Sequence, residues 1–247
     1  MPARVLLTGG AGLIGTQLRA GLTDYQVRIS DRDLSSVEPR AGEETALAEL
    51  GDFDAVRKAV DGCDYVVHLA ADPRVHAPWN DLRVPNFDGV YNVFEAAKQA
   101  GVRRIVFAST NHVTGMHDIN RRWPTTPDGD VAPDSLYGAS KAFGEALGRY
   151  YSETSDLSVL CLRIGWVNHH QRPQDPDWLR MWLSFDDLRQ LVRKSIEADA
   201  GLKFGIYYGV SNNTPMRYDL DNARRDLGYE PVDDSADVAR AASSQAT

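Results

Sequence analysis

A run of glycines between an apolar segment and an amphipathic segment is the feature that most constrains the fold of this chain. The run reads Val5-Leu-Leu-Thr-Gly-Gly-Ala-Gly-Leu-Ile-Gly15. Glycine permits a tight turn, close approach of a ligand to the backbone and close packing of a helix on a strand. The first turn of a helix offers unpaired N–H groups and partial positive charge to an anion. Strand, turn and helix in this order predict the start of a parallel sheet that binds a dinucleotide.

Two registers of the glycine turn fit the dinucleotide pattern, one beginning at Gly9 and one at Gly10, and a tight turn without a ligand is the alternative. We assign five residues of the turn to the pyrophosphate and its surroundings: Gly9, Gly12, Leu13, Ile14 and Gly15.

The second predicted strand ends in a carboxylate, Asp31, 16 residues after Gly15. A carboxylate at this point accepts hydrogen bonds from the adenosine ribose and repels a 2′-phosphate, which favours NAD over NADP. Arg32 follows directly and leaves NADP open, because a guanidinium accommodates a phosphate. Asp52 and Phe53, after the third predicted strand, are assigned to the adenine end, with a helix N-cap at Asp52 as the alternative.

Short apolar runs alternate with helical patterns through the first two thirds of the chain, which predicts an α/β, Rossmann-type, doubly wound parallel sheet. The predicted strands are 4–8, 26–31, 45–50, 64–70, 103–109 and 158–164, and the predicted helices are 13–22, 54–60, 85–100 and 136–155. A helix at 186–198 and a strand at 204–209 follow. We expect residues 1–165 to bind NAD and residues 166–247 to form a small substrate-binding region packed on them as a single structural unit.

Composition narrows the partners of the chain. Its 247 residues are 43% hydrophobic and carry a net charge of −8, which argues against a nucleic-acid surface and is compatible with a small-molecule substrate. No stretch reaches the roughly 20 apolar residues of a membrane span, so we expect a cytoplasmic protein without membrane contact. Cys63 and Cys161 are isolated, and neither a disulfide nor a metal site is expected.

A tyrosine and a lysine four residues apart, Tyr137 and Lys141, lie in a segment with helical periodicity. One helical turn places both on the same face, where the ammonium would lower the phenol pKa and allow proton transfer near neutral pH. A hydroxyl cluster that includes Thr110 lies about 27 residues upstream. These groups predict an acid–base site, and a solvated Tyr and Lys on a helix surface are the alternative.

Taken with these motifs, the sequence resembles the extended short-chain dehydrogenase/reductase superfamily, also called the NAD-dependent epimerase/dehydratase superfamily, over nearly its whole length. Four segments are similar to uronate dehydrogenases and haloarchaeal NAD-dependent glucose-6-phosphate dehydrogenases. They are Phe107-Ala-Ser-Thr-Asn-His, Ser135-Leu-Tyr-Gly-Ala-Ser-Lys, Arg163-Ile-Gly and Met181-Trp-Leu-Ser.

The resemblance implies roles for individual residues. It makes Thr110, Tyr137 and Lys141 the catalytic residues, with Tyr137 as the base. It adds to the cofactor site Leu69, Ala70, Ala71, Asn86, Ser109, Tyr137, Lys141 and Ile164. It implies a substrate site made of Asp72, Arg74, Thr110, Asn111, His112, Tyr137, Trp166, Arg172 and Arg180. Uronate dehydrogenases have a small polar residue at the position of Trp166 and a serine at that of Pro73, and the chain departs from them at both.

The implied reaction is oxidation of C1 of a small, anionic aldose, a hexose 6-phosphate or a uronate, to a lactone with NAD as the hydride acceptor. About 80 residues follow the 158–164 strand, which favours a free or phosphorylated monosaccharide over a nucleotide-linked sugar. An anionic group needs a cation, and Arg74, Arg172 and Arg180 are the candidates. Two alternatives stay open: an epimerase or dehydratase that retains its NAD, and a non-catalytic dinucleotide sensor.

The resemblance also implies a homo-oligomer, with a dimer paired through the 136–155 helix. The apolar side chains available on that helix are Leu136, Phe143, Leu147, Tyr150 and Tyr151. Packing of the same stripe against the sheet within one chain is the alternative.

Overall fold

A single parallel sheet of seven strands runs through the molecule. The computed structural model describes residues 2–171 and 178–244. The strands are β1 (Arg4–Thr8), β2 (Gln26–Asp31), β3 (Glu43–Leu47), β4 (Tyr65–His68), β5 (Arg104–Thr110), β6 (Ser158–Ile164) and β7 (Phe204–Gly209). Their order in the sheet is β3-β2-β1-β4-β5-β6-β7, and every pair is parallel.

Helices connect the strands and cover both faces of the sheet. They are α1 (Leu13–Leu18), α2 (Phe53–Val60), α3 (Trp79–Leu82), α4 (Gly89–Gln99), α5 (Gly115–Ile119), α6 (Leu136–Thr154), α7 (Phe185–Glu197), α8 (Asp221–Leu227) and α9 (Ser235–Ser244). Three 3₁₀ turns, Arg19–Gly21, Asn111–Thr114 and Leu179–Met181, and a π-helical segment, Arg83–Asp88, complete the described elements. Within the described residues, every helix is too short or too polar to cross a membrane.

The core divides into two apolar clusters, one on each face of the sheet. One cluster joins alternate residues of β1 and β2 to α1 and α7, through side chains such as Leu18 and Leu191. The other joins the opposite faces of β4, β5 and β6 to α2 and α4, through side chains such as Val56 and Phe94. Because both faces are covered, the central strands are apolar throughout. The predicted doubly wound, Rossmann-type fold is confirmed.

The strand order reverses between β1 and β4, since the chain proceeds from β1 to β2 on one side and returns to place β4 on the other. In an open parallel sheet, ligands bind in the crevice outside the carboxyl ends of the strands at this switch point. The glycine turn follows β1 directly and therefore lies at the edge of that crevice.

The C-terminal third of the chain adds to the same sheet. β7 pairs with β6, and Leu191 of α7 lies in the same cluster as Val5 of β1. Arg104 of β5 reaches the end of α7 and donates hydrogen bonds to carbonyl oxygens, among them those of Ala198 at 2.7 Å and Asp199 at 2.7 Å. The guanidinium satisfies carbonyls that the helix end leaves without partners.

Element bounds agree with the sequence expectation for four strands and depart from it by one or a few residues elsewhere. β1, β2, β6 and β7 have the predicted bounds. The third strand ends at Leu47 rather than at residue 50, because the chain turns there to place Asp52 at the N-cap of α2. The predicted helix 85–100 begins earlier, at Trp79, and contains a π-helical segment around Pro85, which has no N–H to donate and crowds the preceding turn.

Candidate active site

A cleft of about 1020 Å³ opens at the carboxyl ends of β1, β4, β5 and β6. Most residues assigned to the cofactor from the sequence line it: Gly9, Gly12, Leu13, Ile14, Gly15, Asp31, Leu69, Ala70, Ala71, Ser109, Tyr137, Lys141 and Ile164. The fold thus brings segments from six parts of the sequence to one surface.

The glycine turn has the shape that a pyrophosphate requires. Gly9 adopts φ +69°, and a Cβ there would lie 2.7 Å from the backbone nitrogen of Ala70. A Cβ at Gly15 would lie 2.6 Å from the carbonyl oxygen of Gly9, so α1 rests directly on the turn. Gly12 is the N-cap of α1 and has no side chain to satisfy the first N–H groups of the helix. These donors remain available to an anionic group, so the turn fits NAD.

Hydrogen bonds fix the Asp31 carboxylate next to the glycine turn. One carboxylate oxygen accepts a hydrogen bond from the backbone N–H of Ala11 at 3.1 Å, and the other accepts one from the backbone N–H of Arg32 at 2.8 Å. Asp31 and Arg32 both line the cleft. A fixed carboxylate at the end of β2 suits a ribose diol.

Three residues assigned to the cofactor lie outside the cleft lining. Asp52 accepts a hydrogen bond from the N–H of Ala55 at 3.1 Å, which is the N-cap arrangement considered as its alternative. Phe53 packs against the apolar cluster that contains α2. Asn86 is buried; its amide accepts from the N–H of Asp72 at 2.8 Å and donates to its carbonyl oxygen at 3.1 Å. Asn86 therefore fixes the loop after β4 through the backbone of Asp72 and does not line the cleft.

The three predicted catalytic residues meet in the cleft. Thr110 ends β5, and Tyr137 and Lys141 occupy the first turns of α6. The helix begins at this point because the hydroxyl of Ser135 accepts a hydrogen bond from the N–H of Gly138 at 3.0 Å. The Lys141 ammonium donates to the carbonyl oxygen of Ala108 at 2.8 Å and lies 5.9 Å from the centre of the Tyr137 ring.

Burial dominates the electrostatics of this group. It lowers the pKa of Lys141 to about 7, so the ammonium exchanges its proton near neutral pH. Burial also raises the pKa of Tyr137 to about 12, although a hydrogen bond with Thr110 opposes the rise. The phenol pKa therefore lies above its ordinary value and not near neutral pH as the sequence predicted. The Lys141 ammonium is directed toward the carbonyl oxygen of Ala108.

The residues assigned to the substrate are only partly brought together. Asp72, Arg74, Thr110, Asn111, His112, Tyr137 and Trp166 line the cleft, as does Pro73. The Asn111 amide donates to the Tyr218 hydroxyl at 3.3 Å, so the C-terminal region supports the substrate side. Arg180 lies in the Leu179–Met181 turn, outside the lining, and Arg172 lies outside the described residues.

Arg74, the predicted anion-binding residue in the cleft, is engaged by two carboxylates. Its guanidinium lies 2.5 Å from Asp72 and 2.7 Å from Asp81, and the side chain is 61% exposed. The hydrogen bond from Arg74 lowers the pKa of Asp72. An anionic substrate group would have to compete with both carboxylates for this cation.

Sequence reasoning missed a buried ion pair next to the predicted catalytic residues. Arg163 of β6 lies 2.9 Å from Glu145, which is one helical turn after Lys141 on α6. Glu145 also accepts a hydrogen bond from Ser109 at 2.6 Å, and Arg163 donates to the carbonyl oxygen of Pro127 at 3.3 Å. The pair connects β5, α6, β6 and the loop before α6. No short motif in the sequence signals it, because the partners are 18 residues apart and meet only through the sheet.

Known proteins show which family has this architecture. Residues 5–169 match the NAD dependent epimerase/dehydratase family. The chain is 40% identical to an NAD-dependent glucose-6-phosphate dehydrogenase of Haloferax volcanii, across 96% of this chain and 96% of that protein. It is 38% identical to an L-arabinose 1-dehydrogenase (NAD(P)(+)) of the same organism, across 96% of this chain and 99% of that protein.

A solved structure described as Mutated Uronate Dehydrogenase has a TM-score of 0.88 to this chain at 38% identity. The likeness covers 97% of this chain and 86% of that one. The family match and the near full-length relatives agree with the parallel sheet and its glycine turn. The chain belongs to the NAD-dependent epimerase/dehydratase family, and it is an NAD-dependent oxidoreductase.

Proposed function

We propose that this protein is a sugar dehydrogenase that oxidises C1 of a small aldose to a lactone, with Tyr137 as the base. The observation that carries the proposal is the meeting of Thr110, Tyr137 and Lys141 in the same cleft that the glycine turn lines. Relatives named as dehydrogenases of glucose 6-phosphate and L-arabinose support a monosaccharide as the substrate.

The residues of the cleft divide between cofactor and substrate. The glycine turn and the first N–H groups of α1 would hold the pyrophosphate, and Asp31 the adenosine ribose. When bound, NAD supplies the hydride acceptor. The remaining work is proton transfer and positioning by the side chains of the chain itself.

Tyr137 accepts the proton of the C1 hydroxyl, and Thr110 holds the same oxygen by a hydrogen bond. Lys141 supplies positive charge next to the phenol in the fraction of molecules in which its ammonium is protonated, and Ala108 fixes its position. Because burial raises the pKa of Tyr137 to about 12, formation of the phenolate depends on such neighbouring positive charge.

An anionic aldose, a hexose 6-phosphate or a uronate, is our first candidate substrate, supported by the relative that acts on glucose 6-phosphate. A neutral aldose is the second candidate. Its support is the engagement of Arg74 by Asp72 and Asp81, together with the relative named for L-arabinose.

A screen of NADH absorbance tests the proposal. The purified protein is supplied with NAD or NADP and with glucose 6-phosphate, glucuronate, galacturonate, glucose or L-arabinose. We expect NADH from at least one aldose, and a loss of kcat of roughly 10³-fold or more in Tyr137→Phe. Undiminished activity of Tyr137→Phe would remove the assigned base. Activity with NADP alone would contradict the role of Asp31.

The same screen separates a dehydrogenase from an epimerase or dehydratase. An enzyme of the second kind regenerates its bound NAD in each cycle and releases no net NADH. Tightly bound NAD in the purified protein, without NADH from any sugar, would favour that alternative. Retained NAD binding without any turnover would favour a sensor.

Three further proposals complete this assignment. We infer a division into an NAD-binding part, residues 1–165, and a substrate-binding part, residues 166–247. We also infer a homodimer paired through α6, on which Leu136, Phe143 and Tyr150 are exposed, whereas Tyr151 packs inside the chain. A cytoplasmic location without a nucleic-acid partner follows from the composition and not from the fold.

A further inference from the structure

A histidine and a carboxylate from two separate segments meet at the cleft beside the catalytic tyrosine. Nδ1 of His112 lies 2.8 Å from one carboxylate oxygen of Asp134 and 3.0 Å from the other. His112 lies in the 3₁₀ turn after β5, and Asp134 ends the loop that leads into α6. The imidazole ring packs edge-on to the ring of Tyr137, with 6.0 Å between their centres.

The carboxylate occupies a fitted position. A Cβ at Gly115 would overlap the Asp134 carboxylate, so the position requires a glycine opposite it. The hydroxyl of Ser135 donates to Oδ1 of Asp134 at 2.9 Å. Backbone hydrogen bonds from Met116 to Ala132 and from Ala132 to Val113, each 3.0 Å, fix the loop against α5. Asp134 is therefore a rigid acceptor rather than a mobile surface group.

Such an acceptor determines which imidazole nitrogen carries the proton. Burial is the largest single influence on Asp134 and opposes its ionisation. The hydrogen bond and charge of His112, together with the hydrogen bond from Ser135, outweigh burial and hold the carboxyl pKa below its ordinary value. An ionised carboxylate can only accept hydrogen bonds, so Nδ1 must donate. In the neutral ring, Nε2 is then an acceptor without a hydrogen.

Nε2 is the nitrogen that His112 presents to the cleft. Asp134 covers Nδ1, and the His112 side chain lines the cleft and is 28% exposed. Among the described residues, no hydrogen-bond partner of Nε2 is found. An acceptor next to the phenol suits a hydroxyl donor on the carbon beside the reacting one.

We propose that Asp134 is a positioning residue that fixes Nδ1–H of His112, so that Nε2 accepts a hydrogen bond from the substrate hydroxyl adjacent to the oxidised carbon. The proposal rests on the proposed function for the identity of the oxidised carbon. It assigns Asp134 a role in selectivity for sugars that retain a 2-hydroxyl. The contact also orients C1 toward Tyr137 and Thr110.

Asp134→Asn is the sharpest probe, because Ser135 determines how the new amide is oriented. The Ser135 hydroxyl donates to the Oδ1 position, so the amide oxygen belongs there and the amide nitrogen takes the position nearest Nδ1. An N–H directed at Nδ1 requires a bare Nδ1 and moves the proton to Nε2. His112 then becomes a donor to the cleft, with the same size and shape.

Nitrogen NMR of the histidine rings reads the tautomer in the free protein. Spectra are recorded at about pH 8.5, above the ordinary imidazole pKa of about 6.5, and His112→Gln assigns the signals by their loss. We expect a bare Nε2 in the wild type and a protonated Nε2 in Asp134→Asn. A protonated Nε2 in the wild type, or an unchanged tautomer in the variant, would overturn the proposal. The matched control is Asp128→Asn, an exposed carboxylate in the same loop, which should leave the tautomer unchanged.

Kinetic measurements on pairs of sugars, with and without a 2-hydroxyl, test whether the variant loses the contact with that hydroxyl. Each of glucose 6-phosphate and glucose is compared with its 2-deoxy analogue, using NAD. We expect Asp134→Asn to lower kcat/KM roughly 10- to 100-fold for the 2-hydroxy sugar and by less than about 3-fold for the 2-deoxy sugar. Equal losses on both sugars would reject the recognition of that hydroxyl.

The two measurements distinguish failure of the His112–Asp134 proposal from failure of the proposed function. The NMR measurement needs neither cofactor nor sugar. A tautomer that changes as expected, with no NADH from any aldose, would reject the sugar dehydrogenase and the hydroxyl contact but retain the positioning of His112 by Asp134. An unchanged tautomer would reject the positioning even in an active enzyme.

Discussion

Lys141 is a buried cation whose ammonium is held by one backbone carbonyl, that of Ala108. Burial lowers its pKa from an ordinary 10.5 to about 7, so between those values the unfolded chain binds the proton more readily than the folded chain. Stability therefore rises with pH across this interval. Below pH 7 the full free-energy cost of burying the protonated ammonium opposes folding. At this pH the lysine lowers the stability of the fold, which agrees with the functional role proposed for its charge.

Replacing this lysine should stabilise the fold while removing activity. We expect Lys141→Met to raise the free energy of unfolding at pH 6 by on the order of 2–4 kcal/mol, and the gain to shrink as the pH approaches 10. Urea unfolding of the free protein at pH 6, 8 and 10 measures this difference. Lys58→Met, at an exposed position of α2, is the matched control and should change little. A gain that does not vary with pH would show that desolvation of the ammonium is not its origin.

Some residues of the cleft could be predicted from the sequence and others could not. Asp31, Thr110, Tyr137 and Lys141 follow from motif spacing, because each lies at a strand end or on the first turns of a helix. Asp134 could not be found that way. Its contact with His112 forms only because the loop before α6 folds back toward the end of β5. The carboxylate has room there because residue 115 is a glycine.

At the scale of elements, α6 approaches the sheet closely enough that small residues are required on its inner face. A Cβ at Gly144 would lie 2.6 Å from a ring carbon of Phe107 on β5. This close approach brings Lys141 to the carbonyl of Ala108 on the same strand. The positions of Tyr137 and Lys141 in the cleft therefore depend on the packing distance of the helix.

Gly144→Ala tests that dependence. Alanine favours a helix over glycine by about 1 kcal/mol, but overpacking against β5 should cost about 1–3 kcal/mol and displace Tyr137. We expect lower stability in urea unfolding and a lower kcat. Ala146→Gly, on the exposed side of the same helix, measures the propensity effect alone, with an expected loss of about 1 kcal/mol. Greater stability of Gly144→Ala than of the wild type would contradict the close-packing argument.

The bounds of β6 were predictable from its apolar run. The residues of β6 are all buried, so the apolar run and the strand coincide. β3 is an edge strand with exposed Glu44 and Leu47, and its pattern carries no clean alternation, which is why its bounds were misplaced. The short helices α5 and α8 were not predicted, because five to seven residues are too few to show a helical period.

At the scale of the whole molecule, apolar side chains are exposed along one side of α6. Leu136, Phe143 and Tyr150 recur every seven residues along α6 and are 50%, 37% and 58% exposed. The Phe143 ring packs on that of Phe87, which packs on Trp79, with ring centres 5.2 Å and 5.0 Å apart. Exposed apolar patches of this kind mark association surfaces, and we expect a second copy of the chain to cover this one.

Analytical ultracentrifugation tests this expectation. The wild type should sediment as a dimer at micromolar concentration, and Phe143→Glu should weaken the dimer by roughly 100-fold or more, because it places a charge in a desolvated contact. Val232→Glu, at an exposed position away from α6, is the control and should remain dimeric. A monomeric wild type at tens of micromolar would reject the pairing.

The ion pair of Glu145 and Arg163 limits how the enzyme can be redesigned. Arg163 holds the carbonyl of Pro127 in the loop before α6, while Glu145 holds Ser109 next to Thr110. A loop transplanted from a relative to change the accepted sugar would therefore act on the catalytic strand through this pair. Loop exchange should succeed when the new loop places a backbone carbonyl within hydrogen-bond reach of Arg163. A loop that places none there would leave an N–H of the buried guanidinium without an acceptor. We expect that defect to lower the turnover rate before it weakens sugar binding.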